Sequence, residues 1–446
     1  MSVTTLSERG DLSRAARSFL RTESGSAVLL LAAAVIALLW ANLSSSYEAF
    51  WHTPLSISLD GFGLTEDLRH WVNDGLMVLF FFSVGLEISR EMTIGELRGA
   101  RAVAAPTLAA IGGLTVPAAL YLLFNAGGPA AGAWGIAIST DTAVLLGVLA
   151  LVGPRCPDQL RIFLLALSIV DDIGAVLAIA VFYTKHVDLV ALLLAVVLFA
   201  ALVGLRFVNF WRTPIYALIG VIMWFAVLRS GVHPSVVGVA LGLLVNAYAP
   251  QPRDIARVQV LARSLVIDPT PTRALAAQAA VTEAVSPNER LQLRLQPWSS
   301  YVIVPLFVLA NAGIVFDSQT IAAALRSPIT WGVVAGLVVG KPIGVSAGTW
   351  LALKTGIGRV PDTLRWGQLI GGAALSGIGF TVALFITELA LDDPALQNQA
   401  KIGIVTGSVL AALSGWMIFR VLGERGGQCS PSGLPVLPPR PWRPPA

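Results

Sequence analysis

Hydrophobic residues along this chain occur in runs of about twenty, separated by short polar segments that hold most of the charges. A helix that crosses the hydrocarbon core of a bilayer needs about 20 mostly apolar residues. The pattern therefore predicts an all-α polytopic membrane protein with about twelve transmembrane helices. The predicted spans lie at roughly 25–43, 70–90, 102–124, 133–152, 160–184, 188–206, 212–230, 232–249, 297–316, 330–353, 366–389 and 399–422.

The same pattern divides the chain into five segments. A basic segment at 1–24 precedes spans one to eight at 25–249, and a long Arg-bearing loop with possible helical pieces occupies 250–296. Spans nine to twelve follow at 297–425, and residues 426–446 form a Pro-rich tail that we predict to be disordered. The first segment lacks the apolar core and cleavage site of a signal peptide, so we expect the first span to be retained.

Residues 54–65 break the helical pattern. Apolar and polar residues alternate from Pro54 onward, and Asp60-Gly61 supplies a turn sequence. Alternation around an Asp-Gly pair is typical of a β-hairpin, which we place on the outer side of the membrane.

Composition and charge agree with this assignment. Of the 446 residues 55% are hydrophobic and 13% charged, whereas soluble domains carry about 25% charged residues; the mean hydropathy is +0.75. With both termini in the cytoplasm, only five of the 30 Lys and Arg residues lie outside, as the positive-inside rule requires. The net charge of +4 reflects this topology and gives no reason to expect nucleic-acid binding.

Four ionisable residues occur near the centres of predicted spans: Asp141, Asp171, Asp172 and Lys341. A charged residue at the centre of a membrane helix costs about 2.5–3.5 kcal/mol on insertion scales. Such residues are therefore functional candidates by default, and an ion or proton pathway is the leading hypothesis.

Two of the spans carry sequences that favour an interruption of the helix. The fourth contains Ser139, Thr140 and Asp141, and the eleventh contains the run Ser376-Gly377-Ile378-Gly379-Phe380-Thr381. An intact fourth helix and a glycine packing face in the eleventh are the alternatives. Interrupted helices in corresponding halves mark the binding sites of inverted-repeat transporters, which favours the interruption.

Asp171 and Asp172 are adjacent in the fifth span, so their side chains point about 100° apart. One carboxylate can face an ion path while the other meets a partner, and carboxylates are hard ligands suited to Na⁺, Li⁺ or H⁺. Lys341 could pair with an aspartate, release a proton, or lie near the negative ends of half-helices. Its depth in the tenth span argues against snorkelling to an interface.

The second span ends with Glu87, Arg90 and Glu91, of which the two acids lie on one helix face. Two interpretations remain open for this group, a solvated helix end or a pH-responsive ion entrance on the cytoplasmic side.

Three rival functions are weaker. An intramembrane aspartyl protease also needs two aspartates, but its Tyr-Asp and Gly-x-Gly-Asp motifs are absent. A transporter of another substrate, by K⁺/H⁺ exchange or sodium-coupled organic acid uptake, is the nearer rival. A channel is the weakest rival, because a lone Lys and Asp pair suits proton coupling better than conduction. We therefore expect a transporter and no enzyme.

At these positions the chain resembles the NhaA family of bacterial sodium/proton antiporters. The matching segments span nearly the whole chain: Trp71-Val72-Asn73-Asp74, Gly85-Leu86-Glu87 through Arg90-Glu91, Thr140-Asp141 followed by Leu146-Gly147-Val148-Leu149-Ala150-Leu151, Val170-Asp171-Asp172-Ile173-Gly174-Ala175, Phe182-Tyr183-Thr184, Gly231-Val232-His233, Ala310-Asn311-Ala312-Gly313, Gly340-Lys341-Pro342-Ile343-Gly344 and Gly377-Ile378-Gly379-Phe380-Thr381.

The resemblance implies two inverted three-helix repeats, spans three to five and ten to twelve, whose broken helices four and eleven cross at mid-membrane. It implies that Asp172 is the main sodium and proton carboxylate, with Asp171 as its partner and an ion-pair candidate for Lys341. Asp141 and Lys341 would offset the half-helix ends, and Thr140 would add an oxygen.

The resemblance also implies an electrogenic Na⁺(Li⁺)/H⁺ antiporter of the bacterial inner membrane that works by alternating access in sodium and pH homeostasis. Glu87, Arg90 and Glu91 would belong to a cytoplasmic funnel linked to pH activation. The hairpin around Asp60-Gly61 would form a homodimer contact. No cofactor is expected beyond the transported Na⁺, Li⁺ and H⁺.

One stretch departs from the family pattern. The family carries Glu and His before a Pro-Trp at the ninth span, whereas residues 290–296 here contain neither, ahead of Pro297-Trp298. We expect transport to survive this change and the usual pH activation to be altered.

Overall fold

A computed structural model describes residues 23–59, 62–95, 100–153, 158–184, 187–208, 213–360 and 364–422. The predicted tail at 426–446, nearly all of the N-terminal segment and the turn residues Asp60 and Gly61 lie outside the described residues.

The described chain consists of helices and one pair of strands. The helices are α1 (Glu23–Leu43), α2 (Ser46–Trp51), α3 (Leu68–Thr93), α4 (Ala100–Asn125), α5 (Ala131–Ile138, of 3-10 geometry), α6 (Thr142–Val152), α7 (Asp158–Phe182), α8 (Leu189–Phe207), α9 (Thr213–Ser230), α10 (Ser235–Leu244), α11 (Pro252–Ile267), α12 (Pro271–Ala284), α13 (Pro287–Asn311), α14 (Ser318–Arg326), α15 (Pro328–Lys354), α16 (Trp366–Leu375), α17 (Thr381–Ala390) and α18 (Pro394–Val421).

Eight of these helices are long and apolar enough to cross a membrane, or nine if the bent pair α5 and α6 counts as one span, in the part of the chain that the structure describes. The prediction of about twelve spans counted apolar runs, and three runs give shorter helices. The eighth run yields only the ten-residue α10, and the eleventh is divided into α16 and α17. Helix α9 is also below spanning length.

The predicted loop at 250–296 is largely helical. Helices α11, α12 and α13 each begin with a proline, preceded by Gln251, Thr270 and Ser286. Proline suits the first helical position because its missing N–H has no partner there anyway. Helix α13 therefore begins at Pro287, before the predicted start of the ninth span at 297, and continues into the membrane segment.

The only strands among the described residues are β1 (Pro54–Leu59) and β2 (Phe62–Asp67), which pair antiparallel with Leu59 opposite Phe62. The strands lead directly into α3. The side chain of Asp67 accepts a hydrogen bond from the backbone N–H of His70 at 2.8 Å, which caps that helix.

Glycines allow the closest helix contacts in the core. A Cβ atom on Gly344 of α15 would overlap the carbonyl oxygen of Gly112 in α4, and one on Gly348 would overlap the carbonyl oxygen of Leu108. Helices α3 and α10 meet in the same way, since a Cβ on Gly85 would lie 2.6 Å from the carbonyl oxygen of Val239. Small residues at such contacts let helix backbones approach closely. Helix α15, which carries Lys341, is thereby held against α4.

We expect Gly344→Val to separate α4 from α15, because the new side chain would overlap the backbone of Gly112 in α4. The free energy of unfolding should fall by about 1–3 kcal/mol, as for other overpacked cores. Thermal unfolding of the purified protein measures this change. Gly204→Val in α8 is the matched control, since no atom lies within 4 Å of its Cβ position; equal losses in both variants would contradict the close-contact argument.

Candidate functional site

The fourth predicted span is interrupted at its polar sequence. Helix α5 ends at Ile138, α6 begins at Thr142, and the two helices are bent by 44°. Asp141 is the N-cap residue of α6, and its Oδ1 accepts a hydrogen bond from the backbone N–H of Val144 at 3.1 Å. The prediction of an interrupted fourth span is therefore correct, and the alternative of an intact helix is wrong.

The eleventh predicted span is interrupted between Leu375 and Thr381, and its break contacts the break of the fourth. The backbone N–H of Asp141 donates to the carbonyl oxygen of Ile378 at 2.7 Å. The backbone N–H of Thr381 donates to Oδ2 of Asp141 at 3.2 Å. One carboxylate thus lies at the N-termini of both α6 and α17, where backbone dipoles favour a negative charge.

Two glycines in the break of the eleventh span lie very close to other backbones. A Cβ atom on Gly379 would lie 2.6 Å from the carbonyl oxygen of Ser139, and one on Gly377 would overlap the carbonyl oxygen of Leu337. Only glycine allows backbones to approach so closely. Gly379 therefore serves the contact between the two breaks, whereas Gly377 lets the eleventh span pack closely against α15.

Lys341 and Asp171 form a buried ion pair beside the breaks. The Nζ atom of Lys341 lies 2.6 Å from Oδ2 of Asp171, with the lysine side chain fully buried. The hydroxyl of Thr140 lies 2.8 Å from the same Oδ2 and 2.9 Å from the carbonyl oxygen of Ser376, at the C-terminus of α16. Of the roles considered for Lys341, pairing with an aspartate is the one that this geometry supports.

Asp172 differs from its neighbour in its surroundings. It is partly exposed and forms no hydrogen bond or ion pair with any residue that the structure describes. The negative charges of Glu87, Asp171 and Asp141 act on it, together with the positive charge of Lys341. The helical spacing of the two adjacent carboxylates predicts this difference: Asp171 has partners, and Asp172 has none among the described residues.

Several polar atoms around this cluster have no partner within the described residues. They are Oδ1 of Asp171, Oγ of Ser139 and Oγ of Ser168, all buried. Such oxygens suit a proton or a small hard cation. No group of three or more His, Cys, Asp or Glu that could hold a resident metal occurs in the described ranges. The arrangement therefore offers oxygen ligands to a transient cation and has no cluster for a resident metal among the described residues.

The predicted cytoplasmic funnel residues lie at the end of α3. Glu87 is exposed, and Arg90 approaches Glu91 at 3.6 Å and Glu289 of α13 at 4.0 Å. Glu289 was not predicted from the sequence, and it lies one residue before the stretch at 290–296 that departs from the family pattern. The signal was present, because Ser286 and Glu289 have the spacing of a helix capping box and contact each other at 3.0 Å.

A second polar group connects α3 to its neighbours. Asp74 lies 3.2 Å from Nε2 of His233, and the side-chain amide of Asn311 donates to Oδ1 of Asn73 at 2.8 Å. In the sequence these residues stand out only as members of the matching segments, because a single polar side chain does not indicate its partner.

The chain matches known proteins over most of its length. The profile of the family described as Na⁺/H⁺ antiporter 1 matches residues 17–419. A protein of Frankia alni named Na(+)/H(+) antiporter NhaA 3 is 52% identical over 434 residues, which cover 96% of this chain and 94% of that protein. A Mycobacterium relative named Na(+)/H(+) antiporter NhaA 1 is 46% identical over 402 residues, which cover 90% of this chain and 66% of that protein.

The solved structure of a sodium proton antiporter from Methanocaldococcus jannaschii aligns with 90% of this chain at 13% identity and a TM-score of 0.43. That likeness carries no argument about function. The family profile and the two bacterial relatives confirm the resemblance found in the sequence, and this chain belongs to the Na⁺/H⁺ antiporter 1 family.

Proposed function

We propose that this protein is a secondary active transporter that exchanges Na⁺ or Li⁺ for H⁺ at a site centred on Asp172. The single observation that carries the proposal is the state of this carboxylate. It is a partly exposed acid without a hydrogen-bond partner among the described residues, next to Asp171, whose Oδ2 is paired with Lys341. The names of the two bacterial relatives, both Na(+)/H(+) antiporters, support the same exchange.

Competition for one carboxylate provides the coupling. A proton on Asp172 removes the charge that attracts Na⁺, and Na⁺ on Asp172 excludes the proton. Protons driven inward thereby displace sodium outward as the site opens to alternate sides of the membrane. We propose that the Asp171–Lys341 pair takes part as a second proton-sensitive group, so that more than one proton moves per sodium and exchange is electrogenic.

Asp141 and Thr140 support the site from the two broken helices. Asp141 accepts backbone N–H groups from α6 and α17, and Thr140 joins Asp171 to the end of α16. We propose that the two broken helices belong to inverted three-helix repeats, α4 to α7 and α15 to α18. In each group a long helix is followed by an interrupted one and then by another long one.

The surroundings of the site complete the proposal. Glu87, Arg90 and Glu91, now joined by Glu289, form a cytoplasmic funnel that responds to pH. The hairpin of β1 and β2 lies outside and makes the contact of a homodimer. The protein resides in a bacterial plasma membrane with both termini in the cytoplasm, as the distribution of Lys and Arg favours.

Exchange of K⁺ or uptake of an organic acid is the less supported alternative. The names of the relatives specify sodium and protons. An organic anion also needs polar donors around its own charge, whereas this cluster holds three carboxylates and one lysine that is already paired.

We expect wild-type protein in everted vesicles to raise the lumenal pH when Na⁺ or Li⁺ is added between about pH 7 and 9. The variant Asp172→Asn should abolish this response, because an amide neither titrates nor attracts a cation. A pH-sensitive dye in acidified vesicles follows the change. Asp268→Asn removes a surface acid and serves as the control. A response to K⁺ alone, or full activity in Asp172→Asn, would contradict the proposal.

We expect Lys341→Met to lower the free energy of unfolding by about 3–5 kcal/mol, because it leaves Asp171 buried without its cation. Asp171→Asn combined with Lys341→Met should recover part of that loss. Thermal unfolding of purified protein measures both. Arg257→Met is the control, since it breaks an exposed ion pair with Glu283 that should contribute about 1 kcal/mol or less. A double variant as unstable as Lys341→Met would argue against the pair.

We expect the pH dependence of exchange to change when Glu289 is replaced by Gln, because the acid that faces Arg90 from α13 is then lost. Vesicle assays at a series of pH values measure the profile, and Glu283→Gln on the neighbouring helix α12 is the control. An unchanged profile in Glu289→Gln would remove this residue from the pH response.

A further inference from the structure

A second buried ion pair lies apart from the ion site. Nζ of Lys401 is 2.8 Å from Oε1 of Glu388, and the two side chains are 5% and 14% exposed. Lys401 lies in α18, seven residues after the first residue of that helix, against the last turn of α17.

Glu388 is poorly placed on its own helix. It lies in the last turn of α17, where the carbonyl groups at the C-terminus carry partial negative charge and disfavour an acid. Lys401 supplies the positive charge that this helix end lacks. Lys401 therefore neutralises the charge of the Glu388 carboxylate and also offsets the partial negative charge at the C-terminus of α17.

Helix α18 contacts both ends of the segment that includes α17. Ser408, seven residues after Lys401, donates to the carbonyl oxygen of Gly379 in the break at 3.3 Å. Seven residues are about two helical turns, so both side chains project from the same face of α18. This face therefore contacts the segment from Gly379 to Glu388 at two points.

The other end of α17 is part of the ion site. The backbone N–H of Thr381, its first residue, donates to Asp141. A helix of ten residues is about 15 Å long and behaves as a rigid rod. A shift or tilt of α17 at Glu388 is thus transmitted to the donor that holds Asp141, although neither Glu388 nor Lys401 contacts the ion site.

We propose that Lys401 and Glu388 are positioning residues, which set the place of α17 and so the geometry of Asp141 and the ion site next to it. This inference rests on the proposed exchange of Na⁺ for H⁺. It predicts that loss of the pair changes the apparent affinity for sodium, and that the affinity returns when an ion pair is restored.

The test measures the KM for Na⁺ and the maximal rate of exchange in proteoliposomes. Lys401→Met and Glu388→Gln should each raise the KM about tenfold, a size common for coupled residues. The double variant Lys401→Glu with Glu388→Lys should return the KM to within about threefold of the wild-type value. The matched control is the exposed pair Arg257–Glu283, whose neutralisation should leave the KM unchanged.

A purely structural role gives a different result. The single variants would then unfold at lower temperature while the KM per folded protein stayed at the wild-type value, and this outcome overturns the proposal. If the charge-reversed protein does not fold, Lys401→Arg and Lys401→Gln decide the matter. A near wild-type KM in Lys401→Arg with a raised KM in Lys401→Gln supports positioning, and equal KM values overturn it.

Failure of the proposed function is recognised separately. Wild-type proteoliposomes that show no Na⁺-dependent proton flux would reject the exchange and leave the pair testable by binding. The Na⁺ concentration for half-maximal thermal stabilisation is then compared between wild type, Lys401→Met and the charge-reversed variant. A rise in that concentration on neutralisation, reversed by the charge swap, supports positioning, and the absence of a rise overturns it.

Discussion

The structure depends on how two interrupted helices satisfy backbone groups that a membrane cannot hydrate. Inside a bilayer every freed N–H and C=O needs a partner within the protein. Each break supplies partners for the other, since Asp141 donates its N–H to Ile378 and accepts the N–H of Thr381 on its side chain. The carboxylate of Asp141 is therefore stabilised by two helix N-termini.

The remaining charges are arranged around this contact so that one carboxylate has no partner among the residues that the structure describes. Lys341 neutralises Asp171, and Thr140 connects that pair to the end of α16. Asp172, one position further along α7, projects in another direction, and its oxygens have no partner within the described ranges. Three carboxylates and one lysine leave the cluster short of positive charge, and a cation or a proton supplies it.

Much of the candidate site was predictable because buried charge is rare in membrane helices. Four ionisable residues interrupt the apolar runs, namely Asp141, Asp171, Asp172 and Lys341. The structure brings Asp171 and Lys341 together, as the family resemblance implies. Glu289 and the Lys401–Glu388 pair were not predicted. Each belongs to a contact between helices distant in sequence, and a run of residues contains no information on which helix faces which.

The sequence by itself determined the membrane class, the polar interruptions and the identity of the buried charges, because these follow from composition along the chain. It also determined the family, through motifs in a fixed order. Only the tertiary structure decided that α10 is short, that α13 begins at Pro287, and that Asp141 serves two helices at once. The physical reason is that these features depend on contacts between residues far apart in the sequence. The pattern of residues along the chain does not indicate which backbone groups and charges will meet.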